Sequence, residues 1–228
     1  MMNAPKAIML FAAGFGTRMG KLTADCPKPL VEVLNKPLID HTLDIVENFG
    51  PLRKVVNTHY KAPMLADHLA GRDILISDEQ PDILDTGGGL KAALPMLATD
   101  PVFTMNTDAI WAGPNPLSCL AKAWDPNRMD ALLICVPVEN TVGRVGGGDF
   151  SLDPDGRLSR QGNYVYGGVQ ILKTGALEHI DQNMFSLNRI WDDLGQSGRI
   201  FGCAYPGRWC DVGHPEGIGL AEQLLRHA

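Results

Sequence analysis

The chain has 228 residues, 45% of them apolar, with 20 Lys and Arg against 26 Asp and Glu and a net charge of −6. That length suits one domain, since single hydrophobic cores stop growing at about 250 residues. The acidic balance without a Lys/Arg-rich run excludes nucleic acid and anionic membrane as partners, and no apolar stretch reaches the ~18 residues of a membrane span. The first element is the unbroken apolar run from Ala7 to Ala13, which predicts a buried parallel strand. Proline in the first turn and the spacing of Leu38, Leu43, Ile45 and Val46 predict a helix over Pro37–Phe49. Lys54–Thr58 reads as a second strand, Pro63–Leu69 as a short helix, and Asp73–Ser77 as a third strand. A glycine turn opens a helix over Gly87–Leu97. Pro101–Asn106 is the fourth strand, Pro116–Trp124 a helix, and Ala131–Val138 the fifth strand.

After Val138 the texture changes. Phe150–Leu152, Leu158–Ser159 and Tyr164–Leu172 read as short antiparallel strands, separated by turns such as Pro154-Asp155-Gly156. Phe185–Leu194 returns to helix, Arg199–Tyr205 is a strand, and Pro215–Arg226 is a closing amphipathic helix. The expected fold is α/β: a Rossmann-like, mostly parallel sheet with helices on both faces, plus a small antiparallel portion. Residues 1–228 are expected to form one domain, with one part over about 1–138 and the other over about 139–228. The five cysteines (Cys26, Cys119, Cys135, Cys203 and Cys210) are scattered and form no CxxC. They speak against a disulfide framework or zinc site and for a reducing cytoplasm, and the start lacks the pattern of a signal peptide. Cys135 and Cys203, in apolar runs, are expected to be inert core thiols. The six histidines lack metal spacing, and no Ser/His/Asp or Cys/His set points to nucleophilic catalysis.

The stretch richest in chemistry follows the first strand. Gly14 and Gly16 have no Cβ, so the backbone can turn sharply and approach a ligand. Freed N–H groups in such a turn can cradle phosphate oxygens, Arg18 adds a charged fork, and Lys28 stands between Pro27 and Pro29. No Gly-Lys-Ser/Thr follows, so this is not a P-loop. Met19 stands where a dinucleotide fingerprint needs its third glycine. An acidic protein that handles phosphates must gather its cations in one place or use a metal. In open α/β sheets ligands sit beyond the carboxyl ends of the strands, where the Gly14 turn, the Gly87 turn and Asp108 all fall.

The full pattern is Ala12-Ala13-Gly14-Phe15-Gly16-Thr17-Arg18-Met19, then Pro27-Lys28-Pro29-Leu30-Val31, then Lys36-Pro37-Leu38-Ile39. It resembles the signature of the sugar-1-phosphate nucleotidyltransferases, or nucleotide-sugar pyrophosphorylases. Asp85-Thr86-Gly87-Gly88-Gly89 looks especially like the Glu-Thr-Gly-Gly-Gly of the N-acetylmuramate-1-phosphate uridylyltransferases, and Trp209-Cys210-Asp211-Val212-Gly213 resembles the family's Trp-x-Asp-Val-Gly. The resemblance implies transfer from a nucleoside triphosphate to a sugar 1-phosphate with release of pyrophosphate. It favours UTP and N-acetylmuramic acid 1-phosphate, hence reuse of bacterial cell-wall material. A guanylyltransferase for mannose or heptose 1-phosphate is the second reading, and an inactive nucleotide-sugar sensor the alternative of another class. Retention of Arg18, Lys28, Asp108 and Asp211 together speaks against the sensor.

By the same resemblance, Arg18 and Lys28 are the catalytic cations, and Asp108 and Asp211 hold Mg²⁺. Ala12, Ala13, Gly14, Gly16, Thr17, Arg18, Glu79, Thr86, Gly87, Gly88 and Asn106 seat the nucleotide. Gly148, Asp149, Asn163, Tyr166 and Gly168 fall where the family binds its sugar. Thr107 departs from the family, which more often has glycine there. The partners expected are the nucleoside triphosphate and the sugar 1-phosphate, bound by a monomer or small homo-oligomer.

Overall fold

Strand β1 (Ala7–Phe11) is buried over nearly its whole length, as an unbroken apolar run requires. The computed structural model describes residues 4–144 and 146–227. Short 3-10 turns at Thr17–Thr23 and Lys28–Leu30, and a ribbon of β2 (Glu32–Val33) and β3 (Lys36–Pro37), lead to α1 (Leu38–Phe49). The alternation continues through β4 (Arg53–Thr58), α2 (Ala62–Leu69), β5 (Ile74–Asp78), α3 (Asp85–Leu97) and β6 (Val102–Asn106). Next come β7 (Ala109–Ala112), α4 (Pro116–Ala123), β8 (Ala131–Pro137), β9 (Thr141–Val142), β10 (Gly148–Leu152), β11 (Leu158–Gly162) and β12 (Tyr164–Leu172). The chain closes with α5 (Gly175–Glu178), α6 (Leu187–Gln196), β13 (Ile200–Ala204), β14 (Arg208–Asp211) and α7 (Pro215–Arg226).

Strands β6, β1, β4 and β5 lie side by side and parallel. Strand β8 points the same way as β6 but is not its neighbour. The nine-residue β12 lies between them, antiparallel to both, with Gln170 opposite Thr104 on one side and Leu133 on the other. The fifth strand of the predicted alternation is thus displaced by one place, because β12 is apolar enough to be buried on both faces. Strand β13 pairs parallel with β8, and β10 and β11 extend the sheet beside the first half of β12.

Side chains alternate across the pleat. Ile8 and Leu10 meet Ile39, Leu43 and Val46 of α1 and Leu117 and Leu120 of α4 on one face. Ala7 and Met9 meet Leu90, Ala93 and Leu97 of α3 and Ile190, Trp191 and Leu194 of α6 on the other. Each fully buried Leu or Ile contributes about 1.5–3 kcal/mol relative to exposure. A separate three-stranded sheet, β7-β14-β9, packs with α7 around Met19, Val33, Ile110, Cys210 and Leu224. Its strands have two to four residues, too short to leave a periodic signal, and none is read from the sequence. Cys135 is wholly buried as expected, but Cys203 is only partly buried at the edge strand β13, where burial still pushes its thiol up to about 11. No helix among the described residues is long and apolar enough to cross a membrane.

Candidate active site

The carboxyl ends of β1, β4, β5 and β6 surround a cleft of about 230 Å³ lined by Ala12, Ala13, Gly14, Lys28, Glu79, Thr86, Asn106 and Asp108, among others. A buried relay fixes its floor. The Ala12 N–H donates to Asn57 Oδ1 at 2.7 Å, Asn57 Nδ2 donates to Glu79 Oε1 at 2.7 Å, and the Leu84 N–H donates to Glu79 Oε2 at 2.9 Å. Glu79, expected to seat the nucleotide, therefore has both oxygens engaged in bracing three strand ends. Thr107 is equally local: its hydroxyl donates to the Phe11 carbonyl at 2.8 Å and ties β6 to β1.

The two glycines of the first turn differ. Gly16 is left-handed, with φ +65°, and a Cβ there would lie 2.9 Å from Lys28 Cβ and from Thr23 Cγ2. Only glycine lets the 17–23 turn close against Lys28. Gly14 has no atom within 4 Å of where its Cβ would be, so its backbone faces open cleft. Thr17 and Arg18 are exposed and are not among the residues that line this cleft. Gly87 and Gly88 do not present free N–H groups to a ligand, since both donate to the Phe185 carbonyl, at 2.9 and 3.1 Å. A Cβ on either would strike the 183–185 segment. Their absent side chains serve close packing of α3 against that segment. The lining side chains there are Asp85 and Thr86, and the Thr86 hydroxyl accepts from the Leu187 N–H at 3.1 Å.

Asp108 and Asp211, 103 positions apart in sequence, are brought together by β14 pairing antiparallel with β7. Asp211 stands opposite Ala109, and the Val212 N–H donates to the Asp108 carbonyl at 3.0 Å. Lys28 Nζ lies 2.6 Å from Asp108 Oδ2 with its side chain only 12% exposed. Arg18 reaches over Asp211: a Cβ on Gly213 would sit 3.0 Å from Asp211 Oδ2 and 3.3 Å from Arg18 Nη1. Burial first, and then the charge of Asp108, hold the Asp211 carboxyl above the usual carboxylate range, with Lys28, Arg18 and Arg144 opposing. Two facing carboxylates that repel one another suit a hard divalent cation. No group of three or more His, Cys, Asp or Glu ligands occurs among the described residues. The pair would supply part of an octahedral shell, leaving the rest to water and substrate phosphates.

A second cleft of about 320 Å³ continues from the first, sharing Phe11, Asp85, Thr86 and Asn106 with it. Asp149 and Tyr166, two of the residues expected to contact the sugar, line it. Gly148, Asn163 and Gly168 do not. Gly148 crosses β11 so closely that a Cβ would strike the backbone of Gly162. Asn163 is exposed, with its carbonyl accepting from the Val138 N–H at 2.9 Å. Gly168, φ +84°, sits against the side chain of Asn106 and positions that residue at the junction of the clefts. Four residues with no motif around them also line the second cleft: Arg144, Arg160, Asn188 and Trp191. Arg160 stacks 4.9 Å over Phe150 and donates to Asp192 from Nε at 2.8 Å and Nη2 at 2.7 Å. Trp191 donates to the buried Gln170 Oε1 at 2.9 Å and packs edge-on to Tyr166. No spacing rule in the sequence could have gathered these residues, because they come from β11, α6 and the loop after β9.

Comparisons with known proteins agree with this geometry. The family model of the MobA-like NTP transferase domain matches residues 8–174. The chain is 42% identical over 243 aligned positions to the N-acetylmuramate alpha-1-phosphate uridylyltransferase of Caulobacter vibrioides, with all of both chains covered. It is 30% identical to the protein of the same name from Neisseria meningitidis, covering 90% of this chain and 92% of that one. The mannose-1-phosphate guanyltransferase of Yarrowia lipolytica is 28% identical, and the match spans 91% of this chain but only 61% of that protein. Among solved structures, HddC from Yersinia pseudotuberculosis complexed with GMP-PN has the same fold, with a TM-score of 0.79 at 23% identity over 96% of this chain and 99% of that one. A cleft beyond the parallel strands, a facing carboxylate pair and these matches agree: the chain belongs to the MobA-like NTP transferase family and is a nucleotidyltransferase.

Proposed function

We propose that the protein transfers the uridylyl group of UTP to N-acetylmuramic acid 1-phosphate, giving the UDP-sugar and pyrophosphate. The observation that carries this reading is the continuity of the two clefts through Phe11, Asp85, Thr86 and Asn106, with Lys28 and Asp108 lining the first, in a chain matched end to end by a uridylyltransferase of that substrate class. The triphosphate lies in the first cleft, with Ala12, Ala13 and Gly14 under it and Thr86 and Asn106 beside it. The sugar lies in the second, against Asp149 and Tyr166. Residues 1–228 work as one unit, in which the part after about residue 138 holds the acceptor.

The acceptor's phosphate oxygen attacks the α-phosphorus in line with departing pyrophosphate, and no covalent enzyme intermediate is required. Catalysis is positioning plus charge stabilisation. Lys28 stabilises charge on the α-phosphate; Arg18 holds the β- and γ-phosphates and the leaving pyrophosphate. Asp108 and Asp211 would hold Mg²⁺, which when bound supplies charge neutralisation between the phosphates. The pairing of Lys28 with Asp108 in the lining of the first cleft supports these roles.

The test is pyrophosphate release with UTP, GTP, CTP and dTTP, each crossed with N-acetylmuramic acid, mannose, heptose and glucose 1-phosphates. Release confined to UTP with the muramic acid phosphate is the expected result. Release with GTP and mannose or heptose 1-phosphate would overturn the substrate while keeping the reaction. No release from any pair, with nucleotide-sugar still bound, would overturn the reaction itself.

A further inference from the structure

Three cations act on Asp211, and only Arg18 and Lys28 belong to the motifs at the start of the chain. The third is Arg144, and β-sheet register places it. Strand β9 runs parallel to β14, with Thr141 opposite Trp209 and Val142 opposite Cys210. This sets Gly143 against Asp211, where a Cβ would lie 3.1 Å from the Asp211 carbonyl oxygen. Gly143 takes a left-handed φ of +75°, and the next side chain reaches into the second cleft. There Arg144 Nη2 donates to Asp149 Oδ1 at 2.7 Å. The other oxygen of Asp149 accepts the Tyr166 N–H at 2.9 Å, so the carboxylate is itself fixed and keeps the guanidinium in one orientation. Arg144 Nε is buried and has no hydrogen-bond partner among the described residues. Nη1, by contrast, is neither buried nor hydrogen-bonded among the described residues, so it is the end of the guanidinium open to a ligand in this cleft.

We infer that Arg144 holds the phosphate of the acceptor sugar 1-phosphate, donating to its oxygens from Nη1 while Asp149 keeps Nη2. The inference rests on the reaction proposed above. That phosphate must lie where the two clefts meet, with its sugar toward Asp149 and its attacking oxygen toward the triphosphate. Arg144 follows Gly143, which packs on Asp211, and ends on Asp149, so it lies on the acceptor's side of that place. The acceptor arrives as an anion facing another anion, and Arg18 and Lys28 are committed to the triphosphate. A planar fork with two parallel N–H groups matches phosphate better than an ammonium and stays charged at any working pH. Arg160, the other guanidinium of this cleft, is instead tied by Nε and Nη2 to Asp192 and stacked on Phe150.

The competing account makes Arg144 a tie between the loop after β9 and strand β10. Steady-state kinetics of Arg144→Gln and Arg144→Lys with N-acetylmuramic acid 1-phosphate and UTP, beside calorimetric binding of the sugar 1-phosphate and of the unphosphorylated sugar, separate the two. Phosphate binding predicts that Arg144→Gln raises KM for the sugar 1-phosphate at least about tenfold, with KM for UTP within about twofold, and that Arg144→Lys recovers part of the loss. Calorimetry would show weaker binding of the phosphorylated sugar with that of the free sugar unchanged. An unchanged KM for the sugar 1-phosphate, equal rises in both KM values, or equal loss of both sugars' binding would overturn the assignment. A wild-type protein that releases pyrophosphate with no pair would overturn the proposed function instead, so the two failures are distinguishable.

Discussion

Asn57→Ala tests the buried relay under the nucleotide cleft. Asn57 and Glu79 are each only 3% exposed, and Ala12 is 5% exposed. Removing the amide orphans two groups at once. The Ala12 N–H loses its acceptor at 2.7 Å, and Glu79 Oε1 loses a donor at 2.7 Å. A buried group left unsatisfied costs about 1–3 kcal/mol, with a carboxylate near the upper end, so the sum is roughly 3–5 kcal/mol. That is a large share of the ~5–15 kcal/mol that holds a domain together. With a urea slope of about 2–3 kcal/mol per molar, the unfolding midpoint should fall by roughly 1–2 M. The strand end that carries Ala12, Ala13 and Gly14 also loses its anchor, so KM for the nucleotide should rise in the folded protein. Asn57→Asp keeps an acceptor for Ala12 but faces one carboxylate with another, and should be no better tolerated. A loss below about 1 kcal/mol for Asn57→Ala would refute the reasoning, since it would mean that water reaches both orphaned groups.

Lys28→Ala should lower kcat/KM by about 10²–10³, the usual effect of deleting one charge-stabilising donor, while the circular dichroism spectrum stays unchanged; activity within tenfold of wild type would remove Lys28 from the mechanism. Gly14→Ala adds a methyl group with no atom within 4 Å, so the melting temperature should hold while KM for the nucleotide rises about tenfold or more if the backbone contacts phosphate. Asp130 accepts from Arg199 Nε at 2.7 Å and Lys173 Nζ at 2.8 Å, and these partners, Arg199 first, lower its carboxyl to about 2. A folded-state value below the unfolded one adds stability that is present above the ordinary carboxylate range and lost as pH falls through about 2. Asp130→Asn should therefore cost about 1–2 kcal/mol at neutral pH, after allowance for solvent screening of a partly exposed cluster. The gap to wild type should close between about pH 4 and pH 2 in urea titrations, and a gap constant with pH would refute the ion-pair account.

Much of the fold is legible in the chain because its signals are local. The run Ala7-Ile8-Met9-Leu10-Phe11 is apolar at every position, so it must be covered on both faces. The apolar spacing of Leu38, Leu43 and Val46 places α1 with one face on the sheet. The same locality explains the boundary errors. Helix α6 starts at Leu187 rather than Phe185, because the Ser186 side chain accepts from the Asn188 N–H and caps it, while Phe185 is drawn away to accept from Gly87 and Gly88. Helix α3 likewise begins at Asp85, two residues ahead of the expected glycine turn.

What the sequence by itself determined is the chemistry available: two cations and two glycines after a buried strand, and two aspartates each closing a short motif far apart in the chain. Those choices are visible because residue type and neighbour spacing carry them. Only the tertiary structure decided which residues share a place. The pairing of β14 with β7 brings Asp211 to Asp108, the pairing of β9 with β14 carries Arg144 into the second cleft, and the close approach of the 183–185 segment turns Gly87 and Gly88 into packing residues. Each depends on contacts across tens to more than a hundred positions. Such contacts form because burying an edge strand or satisfying an N–H lowers the free energy of the whole fold, and that balance is written in no single stretch of the chain.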